Sequence, residues 1–334
     1  MDRAFVLAER GRGTVSPNPL VGCVVARDGK IVGEGWHERT GGPHAEVVAL
    51  AAAGDLARGA TVYVTLEPCA HTGCTAPCSQ ALVGAGVARV VAALADPNPL
   101  AEGGADQLRA AGIDVDVGVD EARARRQNEV FLHGLDDGLP FVVWKTAVSL
   151  DGRIAAADGT SRWLTGPAAR EHAHRLRAEV DAVLVGSETV LTDDPQLAVR
   201  LPGYPGPQPL RVVLDRRRRL AERPGLRVFD DAAPTLVLDA PDPKAVLATL
   251  WERGVRSVLV EGGAAVGSAF ARAGLVDKLV VHVAPLLLGE SGRPALRGDW
   301  PVTLDAVPRL HLEDVERVGD DVILTLYPDH TGAT

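Results

Sequence analysis

The first third of the chain alternates short β-rich runs with helical runs. LVGCVVARDGKIVGEGW predicts two strands joined by a tight turn at Asp28-Gly29, because apolar, partly alternating residues flank the two turn residues. HAEVVALAAAG is alanine-rich and predicts a helix that ends at Gly54. The β-rich runs ATVYVTLEPC, VARVVAAL and IDVDVGV follow, separated by the helical runs SQALVGAG and QLRAAG. This order predicts a partly parallel sheet with helices on its faces.

The rest of the chain repeats the alternation after a polar helical connector. EARARRQNEVFLHGLDDGLP ends in Gly138 and Pro140, and FVVWKTAVS then begins a new series of strands. DAVLVG, LRVVLD, APTLVLD, RSVLVEGG and DKLVVHVAP are short and β-rich, which is typical of a second α/β sheet. We therefore predict an α/β protein with domains at residues 1–138 and 140–328 and a frayed tail at 329–334.

Composition and charge exclude several classes of protein. Hydrophobic residues make up 46% and charged residues 24% of the chain, which is the profile of a globular protein. A net charge of −9 and an aromatic content of 4% argue against a nucleic-acid-binding surface. No apolar run approaches the roughly 20 residues that a membrane span needs. The N-terminal segment MDRAFVLAERGRG reads as a short helix rather than a signal peptide, so we expect a cytoplasmic protein.

Three of the four cysteines cluster in LEPCAHTGCTAPC, residues 66–78. In a chain of this length, such clustering indicates metal binding in a reducing compartment rather than a disulfide framework. The candidate ligands are Cys69, His71, Cys74 and Cys78, with His44 from the earlier segment PHAEVVAL. A structural zinc site made only from residues 69–78 is one possibility, but it leaves the segment around His44 unexplained.

The segment PHAEVVAL favours a catalytic site. Pro43 suits the first turn of a helix, which places His44 at the helix start and Glu46 two residues later. A zinc deaminase needs a histidine ligand and a non-ligating glutamate at this spacing, because the metal activates water and the glutamate carries protons. The deaminase signature H-x-E followed by P-C-x-x-C is half met, since eight residues rather than two separate Cys69 from Cys78.

PHAEVVAL, TLEPCAHTG…PC and ADPNPL together resemble the bifunctional deaminase-reductases of bacterial riboflavin biosynthesis, in which the wide cysteine spacing is normal. The resemblance implies a cytidine-deaminase-like α/β/α fold for the N-terminal domain. It implies zinc ligands His44, Cys69 and Cys78, with Glu46 as general acid and base. Asn18, in SPNPLVG, is otherwise a turn residue, and the resemblance makes it a hydrogen-bonding partner of the pyrimidine ring.

The cysteine loop departs from the family at two positions. Cys74 stands where the family usually carries arginine, and Ala76 where it usually carries proline. Cys74 is therefore interpreted as a spare thiol, and the substrate contact of that arginine is open to question in this chain. We interpret His71 as a polar loop residue rather than a ligand, and Cys23, in VGCVVA, as a small buried apolar residue.

The second domain gives weaker signals when its residues are read alone. LTDDPQLAVR reads as an acidic, proline-broken loop that ends in Arg200. Arg170 and Arg177 are seven residues apart on one helix face, which by itself indicates a solvated arginine face, the reading we adopt for Arg170. In SVLVEGGAAVGSAF, glycines follow a strand that ends at Glu261 and precede a small-residue helix. Such a junction admits a phosphate group, although the spacing is not G-x-G-x-x-G.

WKTAVSLDGRIA, SRWLTG, LVGSETVLTDDPQLAVR and VEGG together resemble the reductase half of the same family. The resemblance thus extends from the opening helix to about Tyr327, and it implies a dihydrofolate-reductase-like α/β fold that uses NADPH. The implied NADPH contacts are Ala147, Ile154, Trp163, Thr189, Asp193, Gly263, Ala264, Ala265, Val266 and Gly267. The implied substrate contacts are Ser161, Arg177, Leu197, Arg200 and Glu261.

Some of these contacts have a chemical rationale. Arg177 and Arg200 fit the ribose phosphate of the substrate, because guanidinium groups bind phosphate oxygens bidentately. Lys145 is a candidate for hydrogen bonding to the ribose and for proton transfer. The DRRRRL run at residues 215–220 fits either the edge of a cofactor site or a solvated turn.

The resemblance implies two successive reactions. The N-terminal domain would deaminate 2,5-diamino-6-(5-phosphoribosylamino)pyrimidin-4(3H)-one with one zinc ion per chain, and the C-terminal domain would reduce the ribosyl side chain to ribityl with NADPH. The expected partners are this phosphorylated pyrimidine and further copies of the chain, with no nucleic acid or membrane. One alternative is a nucleic-acid base deaminase, which leaves residues 141–327 without a role. The other is a zinc-stabilised scaffold without turnover.

Overall fold

The computed structural model describes residues 1–71, 77–99, 101–136 and 138–329. The chain divides into two compact units, residues 1–137 and 138–334. Cys74 and Ala76 of the cysteine loop lie outside the described residues, as does the predicted tail beyond Asp329. No helix in the described part of the chain is long and apolar enough to cross a membrane.

The first unit is built around one sheet. Its strands are β1 (Gly22–Arg27), β2 (Lys30–Trp36), β3 (Thr61–Val64), β4 (Arg89–Ala92) and β5 (Asp114–Val117). Its α-helices are α1 (Asp2–Ala8), α2 (Ala45–Ala53), α3 (Cys78–Ala85), α4 (Gly104–Ala110), α5 (Glu121–Gln127) and α6 (Glu129–Asp136). Within the described residues the strand order is β2-β1-β3-β4-β5; β1 is antiparallel to β2 and β3, and the other pairs are parallel.

The alternation of side chains along β1 separates two cores of the first unit. Val24 packs with α1 on one face of the sheet. Cys23 and Val25 face the opposite core, which holds side chains of α2, α3 and α4. The predicted hairpin turn is present, with positive φ at Asp28 and Gly29. This arrangement is the α/β/α sandwich expected from the sequence, with Cys23 buried as predicted.

The second unit has a larger sheet. Its strands are β6 (Phe141–Ser149), β7 (Arg153–Ala155), β8 (Ala182–Gly186), β9 (Leu210–Leu214), β10 (Thr235–Leu238), β11 (Ser257–Val260), β12 (Lys278–Ala284), β13 (Arg293–Pro294), β14 (Leu310–Val318) and β15 (Asp321–Pro328). Its α-helices are α7 (Pro167–Ala178), α8 (Ser187–Asp193), α9 (Pro243–Glu252) and α10 (Ala264–Arg272).

Within the described residues the main sheet has the order β10-β9-β8-β11-β6-β12-β15-β14, and β7 pairs separately with β13. The strands from β10 to β12 are parallel, and β15 is antiparallel to both β12 and β14. Apolar side chains of α9 and α10, including Leu250 and Phe270, cover one face of the sheet. On the opposite face, His172 of α7 lies 3.1 Å from His282 of β12.

Three elements of the second unit differ from the expectation. The segment at residues 191–200 begins as the last turn of α8 and becomes irregular only before Pro195, because proline disfavours helix in the residue that precedes it. Helix α9 and the hairpin of β14 and β15 were not predicted. Almost every residue of β14 is exposed, so this strand lacks the apolar alternation that marks a half-buried strand.

Candidate active sites

Three predicted metal ligands converge in the first unit. The ligand atoms of His44, Cys69 and Cys78 all lie within 4.8 Å of one another. The Nδ1 atom of His44 is 3.1 Å from Sγ of Cys78 and 3.6 Å from Sγ of Cys69. Ligands around tetrahedral zinc are separated by roughly 3.6 Å, given Zn–N and Zn–S bonds of about 2.1 and 2.3 Å. The donor set and its spacing therefore fit a zinc ion with three protein ligands.

Each ligand is placed by the end of a secondary-structure element. His44 is the N-cap residue of α2, and it makes no side-chain capping hydrogen bond. Pro43 precedes the cap rather than lying in the first turn, and its carbonyl oxygen is 3.0 Å from Nδ1 of His37. Cys69 follows β3, while Cys78 is the first residue of α3. The pKa of the Cys69 thiol lies below its ordinary value because Cys78 and His44 hydrogen-bond to its sulfur.

Glu46 lies beside this cluster without belonging to it. Its side chain is only 3% exposed, and it lines a cavity of about 420 Å³ together with His44, Cys69 and Asn18. Burial raises the pKa of the Glu46 carboxyl to about 7. A carboxyl with a pKa near neutrality can both accept and donate a proton, which is the property that a general acid and base requires.

His37 is a further residue of this cavity that sequence reasoning missed. Its Nδ1 atom faces the carbonyl oxygen of Pro43, which can only accept, so Nδ1 carries the ring proton. Burial lowers the pKa of His37, and the neutral ring therefore accepts a hydrogen bond at Nε2 from Nδ2 of Asn18, 3.0 Å away. This bond fixes the orientation of the Asn18 amide and leaves its Oδ1 atom as an acceptor for a ligand. No motif in the sequence indicated His37.

Glu67 is the second residue that the sequence did not reveal. Its two carboxylate oxygens accept hydrogen bonds from the backbone N–H groups of Ala105, at 2.8 Å, and Asp96, at 3.1 Å. It thereby ties the loop that carries Cys69 to the segment after β4 and to the start of α4. His71 also lines the cavity, but it is outside the ligand cluster found among the described residues.

Gly104, at the start of α4, packs closely against the loop that carries the zinc ligand Cys69. A Cβ atom at this position would lie 1.6 Å from the carbonyl oxygen of Pro68, next to the ligand Cys69. We expect Gly104→Ala to displace this loop and to weaken zinc binding by about tenfold or more, the scale of changes next to metal ligands. Competition with a chromogenic chelator measures the affinity. Gly84→Ala is the control, because its Cβ would meet no atom within 4 Å; equal zinc affinity in both variants would contradict the prediction.

The second unit contains two adjoining cavities. One, of about 320 Å³, is lined by the glycine turn before α10, by Thr189 of α8 and by Ile154 of β7. The other, of about 770 Å³, is lined by α7 and by the segment after α8. The residues that line both cavities are Lys145, Ala147, Ser161, Leu164, Thr189, Asp193 and Glu261. A cofactor in one cavity and a substrate in the other would meet at these shared residues.

Most of the predicted NADPH contacts lie in the smaller cavity. Its lining includes Ala147, Ile154, Thr189, Asp193, Gly263, Ala264, Ala265 and Val266. Gly263 is the N-cap residue of α10, and a Cβ there would approach only Thr189 Oγ1, at 3.7 Å. The open turn and the free N–H groups of the helix start fit the phosphates of a dinucleotide.

Two predicted NADPH contacts lie elsewhere. Trp163 lines the larger cavity instead, and it is 67% exposed. Gly267 does not line either cavity, because it is buried against the indole of Trp144, where a Cβ would come within 2.2 Å. The sequence could not separate a glycine that approaches a ligand from one that packs against a strand.

The predicted substrate contacts line the larger cavity, but Arg177 is already paired. Ser161, Lys145, Leu197 and Arg200 are part of this lining, as are Arg177 and Glu261. Nε and Nη2 of Arg177 donate to the two carboxylate oxygens of Glu261, at 2.5 and 2.8 Å. Arg170, interpreted from the sequence as solvated, is half-buried and donates to the carbonyl oxygen of Thr165 at 2.8 Å.

The fold and the two sites define a class of two-domain α/β proteins. Residues 1–94 match the family described as "Cytidine and deoxycytidylate deaminase zinc-binding region", and residues 140–324 match the "RibD C-terminal domain". The first unit is therefore a zinc-binding deaminase domain, and the second contains a reductase domain of this type.

Similarity to characterised proteins extends over nearly the whole chain. It is 42% identical to riboflavin biosynthesis protein RibD of Escherichia coli over 98% of both chains, and 47% identical to that of Mycobacterium tuberculosis over 94% of this chain and 92% of the relative. A RibD structure from Acinetobacter baumannii aligns over 98% of both chains, with 42% identity and a TM-score of 0.86.

The diaminohydroxyphosphoribosylaminopyrimidine deaminase/5-amino-6-(5-phosphoribosylamino)uracil reductase of Thermotoga maritima aligns with a TM-score of 0.90 and 37% identity, over 98% of this chain and 97% of that chain. The chain belongs to the RibD family of bifunctional riboflavin-biosynthesis enzymes. The predicted fold class, the bifunctional enzyme class and the use of zinc are thereby confirmed, and the reductase domain is consistent with NADPH as cofactor.

Proposed function

We propose that this chain catalyses two successive steps of riboflavin biosynthesis. Residues 1–138 deaminate 2,5-diamino-6-(5-phosphoribosylamino)pyrimidin-4(3H)-one, and residues 140–328 reduce the ribosyl group of the product to ribityl. The observation that carries the proposal is the convergence of His44, Cys69 and Cys78 beside Glu46, in a chain whose second unit has two adjoining cavities. The similarity to RibD proteins over nearly the full chain supports both activities.

In the deaminase site, the residues of the chain orient the pyrimidine and move protons. His44, Cys69 and Cys78 hold zinc, which supplies the Lewis acidity that activates water. The buried carboxyl of Glu46 takes the proton of the attacking water and passes it to the departing amino group, so that ammonia leaves. Oδ1 of Asn18, oriented by the hydrogen bond to His37, accepts a hydrogen bond from the pyrimidine.

In the reductase site, the chain holds the sugar against the cofactor. NADPH would supply the hydride, and the residues that would hold it are Ala147, Ile154, Thr189 and Asp193, with the glycine turn at residues 263–266. The phosphorylated substrate occupies the larger cavity, with Ser161, Leu197, Arg177, Arg200 and Glu261 in its lining. Lys145 lines both cavities, and burial lowers the pKa of its ammonium group, which suits a residue that donates a proton to the opening ribose.

A single paired assay tests both activities. Zinc-replete protein is given the diaminopyrimidine ribosyl phosphate and NADPH, and ammonia release and nicotinamide absorbance are recorded together. Ammonia release followed by NADPH consumption is the expected result. Ammonia without NADPH consumption would refute the reductase assignment, and the absence of both signals would refute the proposal for this chain.

Removal of zinc separates the two activities. The ligand cluster lies in the first unit, whereas the paired cavities lie in the second. We therefore expect a zinc chelator to abolish ammonia release but to leave NADPH oxidation with the deaminated intermediate within about twofold of its rate in the untreated enzyme. Restoration of ammonia release by added zinc is the control, and loss of reduction in parallel with deamination would contradict this assignment.

We further propose that the protein acts in the cytoplasm as a homo-oligomer. The reduced, metal-binding cysteines suit a reducing compartment. The edge strand β14 exposes Leu310, Leu312 and Val315, which are 42%, 49% and 55% accessible, so a second copy of the chain has an apolar surface to cover. Sedimentation equilibrium measures the assembly, and a monomer at micromolar concentration would refute the oligomer.

A further inference from the structure

The segment after α8, residues 195–200, forms one wall of the larger cavity. Pro195, Gln196, Leu197 and Arg200 line this cavity, and none of them lines the smaller one. The segment is neither helix nor strand, and among the described residues no backbone–backbone hydrogen bond reaches it. The shape of this wall therefore depends on side chains from other parts of the unit.

Leu197 has a strained backbone in the middle of this segment. Its φ of +59° lies in the left-handed region, which is unfavourable for a residue that carries a Cβ atom. The leucine side chain is only 2% exposed and belongs to the cavity lining. Backbone strain of this kind persists only where the surrounding structure holds it, and it is common at ligand-binding sites.

On the N-terminal side of Leu197, Arg211 of β9 holds the chain. Its Nη1 atom donates to the carbonyl oxygen of Gln196 at 3.2 Å. The Arg211 side chain is only 1% exposed, and it also pairs with Oδ1 of Asp230 at 2.7 Å. The other carboxylate oxygen of Asp230 accepts from Nε2 of Gln196 at 2.7 Å. Gln196 is thus fixed through both its backbone and its side chain.

On the C-terminal side of Leu197, Gln208 binds the backbone of Val199 in both directions. Its Oε1 atom accepts the N–H of Val199 at 2.7 Å, and its Nε2 atom donates to the carbonyl oxygen of Val199 at 3.2 Å. A hydrogen-bonded pair of residues in an antiparallel ladder exchanges the same two bonds. Gln208 lines neither cavity, so it can affect a ligand only through the segment that it holds.

We propose that Gln208 is a positioning residue of the reductase site, which keeps Leu197 in its left-handed conformation and so shapes the wall that contacts the substrate. The inference rests on the function proposed above, since it takes the larger cavity as the place of the substrate. Arg211 fixes the chain before Leu197 and Gln208 fixes it afterwards. Without the bonds from Gln208, only a fraction of the molecules keeps the wall in the conformation that binds substrate.

Gln208→Met tests this role, because methionine is of similar length and makes neither bond to Val199. The KM for the deaminated intermediate should rise by about fivefold to thirtyfold, the range set by the cost of one left-handed residue. Because Leu197 does not line the smaller cavity, kcat and the dissociation constant of NADPH should stay within about twofold of the wild type. Arg253→Met, exposed at the end of α9, is the control for a methionine substitution and should change none of these values.

A second substitution separates this positioning from a general structural role. Glycine adopts a left-handed backbone without strain, so in Leu197→Gly the bonds of Gln208 have less strain to oppose. Leu197→Gly should raise KM by removing the leucine contact, but adding Gln208→Met should raise it further by no more than about threefold. If Gln208→Met raised KM by the same factor in both backgrounds, Gln208 would not act through the backbone of Leu197, and the proposal would be overturned.

Hydrogen–deuterium exchange tests the contact without relying on activity. Mass spectrometry of peptides that span residues 196–201 follows the amide of Val199, which Gln208 protects in the wild type. Exchange of this amide should be at least about fivefold faster in Gln208→Met, since the segment opens more often. An unchanged exchange rate would show that Gln208 does not hold the segment.

Failure of the inference and failure of the proposed function give different results. An unchanged KM in Gln208→Met would overturn the positioning role, as would an equal loss of affinity for NADPH. If the wild type oxidised no NADPH, the proposed function would fail instead. Calorimetry with ribose 5-phosphate would then test the wall, and Gln208→Met should bind this sugar at least about fivefold more weakly. Equal binding by both proteins, or binding by neither, would refute the inference.

Discussion

Replacing Glu46 by glutamine should lower the turnover of deamination by at least about a hundredfold while the protein keeps its zinc and its fold. Glutamine has nearly the same size, so it fills the buried position at the start of α2. It cannot take a proton from the attacking water and pass it on, and general acid–base catalysis of this kind contributes about a hundredfold to ten-thousandfold. The three zinc ligands are unchanged, and so is the second unit.

Ammonia release under saturating substrate measures the effect, and the zinc content of the purified variant is determined in parallel. NADPH oxidation with the deaminated intermediate provides an internal control, since it should stay within about twofold of the wild-type rate. Glu38→Gln, in the exposed loop before α2, is the matched substitution and should leave both rates unchanged. Near-normal ammonia release by Glu46→Gln with zinc bound would remove Glu46 from the mechanism.

Most of the first unit could be predicted from the sequence, because its turn residues and its apolar patterns match the turns, strands and helices that the structure shows. Gly29 and Gly54, with φ of +73° and +53°, mark the hairpin turn and the end of α2. The apolar alternation of β1 separates the two cores of the unit. The helix α2 spans the alanine-rich run up to Gly54, as its composition predicted. The chemistry of the residues indicated a zinc site with five candidate ligands, since zinc selects nitrogen and sulfur donors, and the family resemblance implied the set His44, Cys69 and Cys78.

The features of the sites that the sequence did not reveal depend on contacts between residues that are far apart in the chain. Arg177 and Glu261 are 84 residues apart, and they meet only because α7 docks against the end of β11. Read alone, Arg177 resembled a solvated or phosphate-binding arginine. His37 lacked any motif because its role comes from Asn18 and the Pro43 carbonyl, which only the folded loop brings together. The charged strand β14 is exposed on both faces and gives no periodic signal.

Replacing Arg177 by methionine should destabilise the second unit by about 3–5 kcal/mol at neutral pH. The change leaves Glu261 as a buried carboxylate without its partner, and such uncompensated charges cost about this much. Part of the loss should be recovered in the double variant Arg177→Met/Glu261→Gln, which buries no charge at this position. If the loss of stability in the double variant equalled the sum of the losses in the two single variants, the result would contradict a direct coupling between these residues.

The stability difference between the wild type and Arg177→Met should depend on pH in a definite direction. The pKa of Glu261 is lowered from an ordinary value of 4.5 to about 2, because the favourable charge and hydrogen bonds of Arg177 outweigh the opposing effect of burial. A depressed pKa stabilises the folded state above pH 4.5, and this contribution disappears as the pH falls towards 2. The wild type should therefore lose stability in this window, and the free-energy difference between it and Arg177→Met should shrink.

Urea unfolding followed by tryptophan fluorescence between pH 7 and pH 3 measures this difference. Four of the five tryptophans belong to the second unit, and Trp144 is buried in its core, so the signal reports mainly on that unit. Arg253→Met should keep the wild-type stability at every pH. A difference between the wild type and Arg177→Met that stays constant as the pH falls below 4.5 would show that the lost stability comes from packing of the arginine side chain and not from its charge on Glu261.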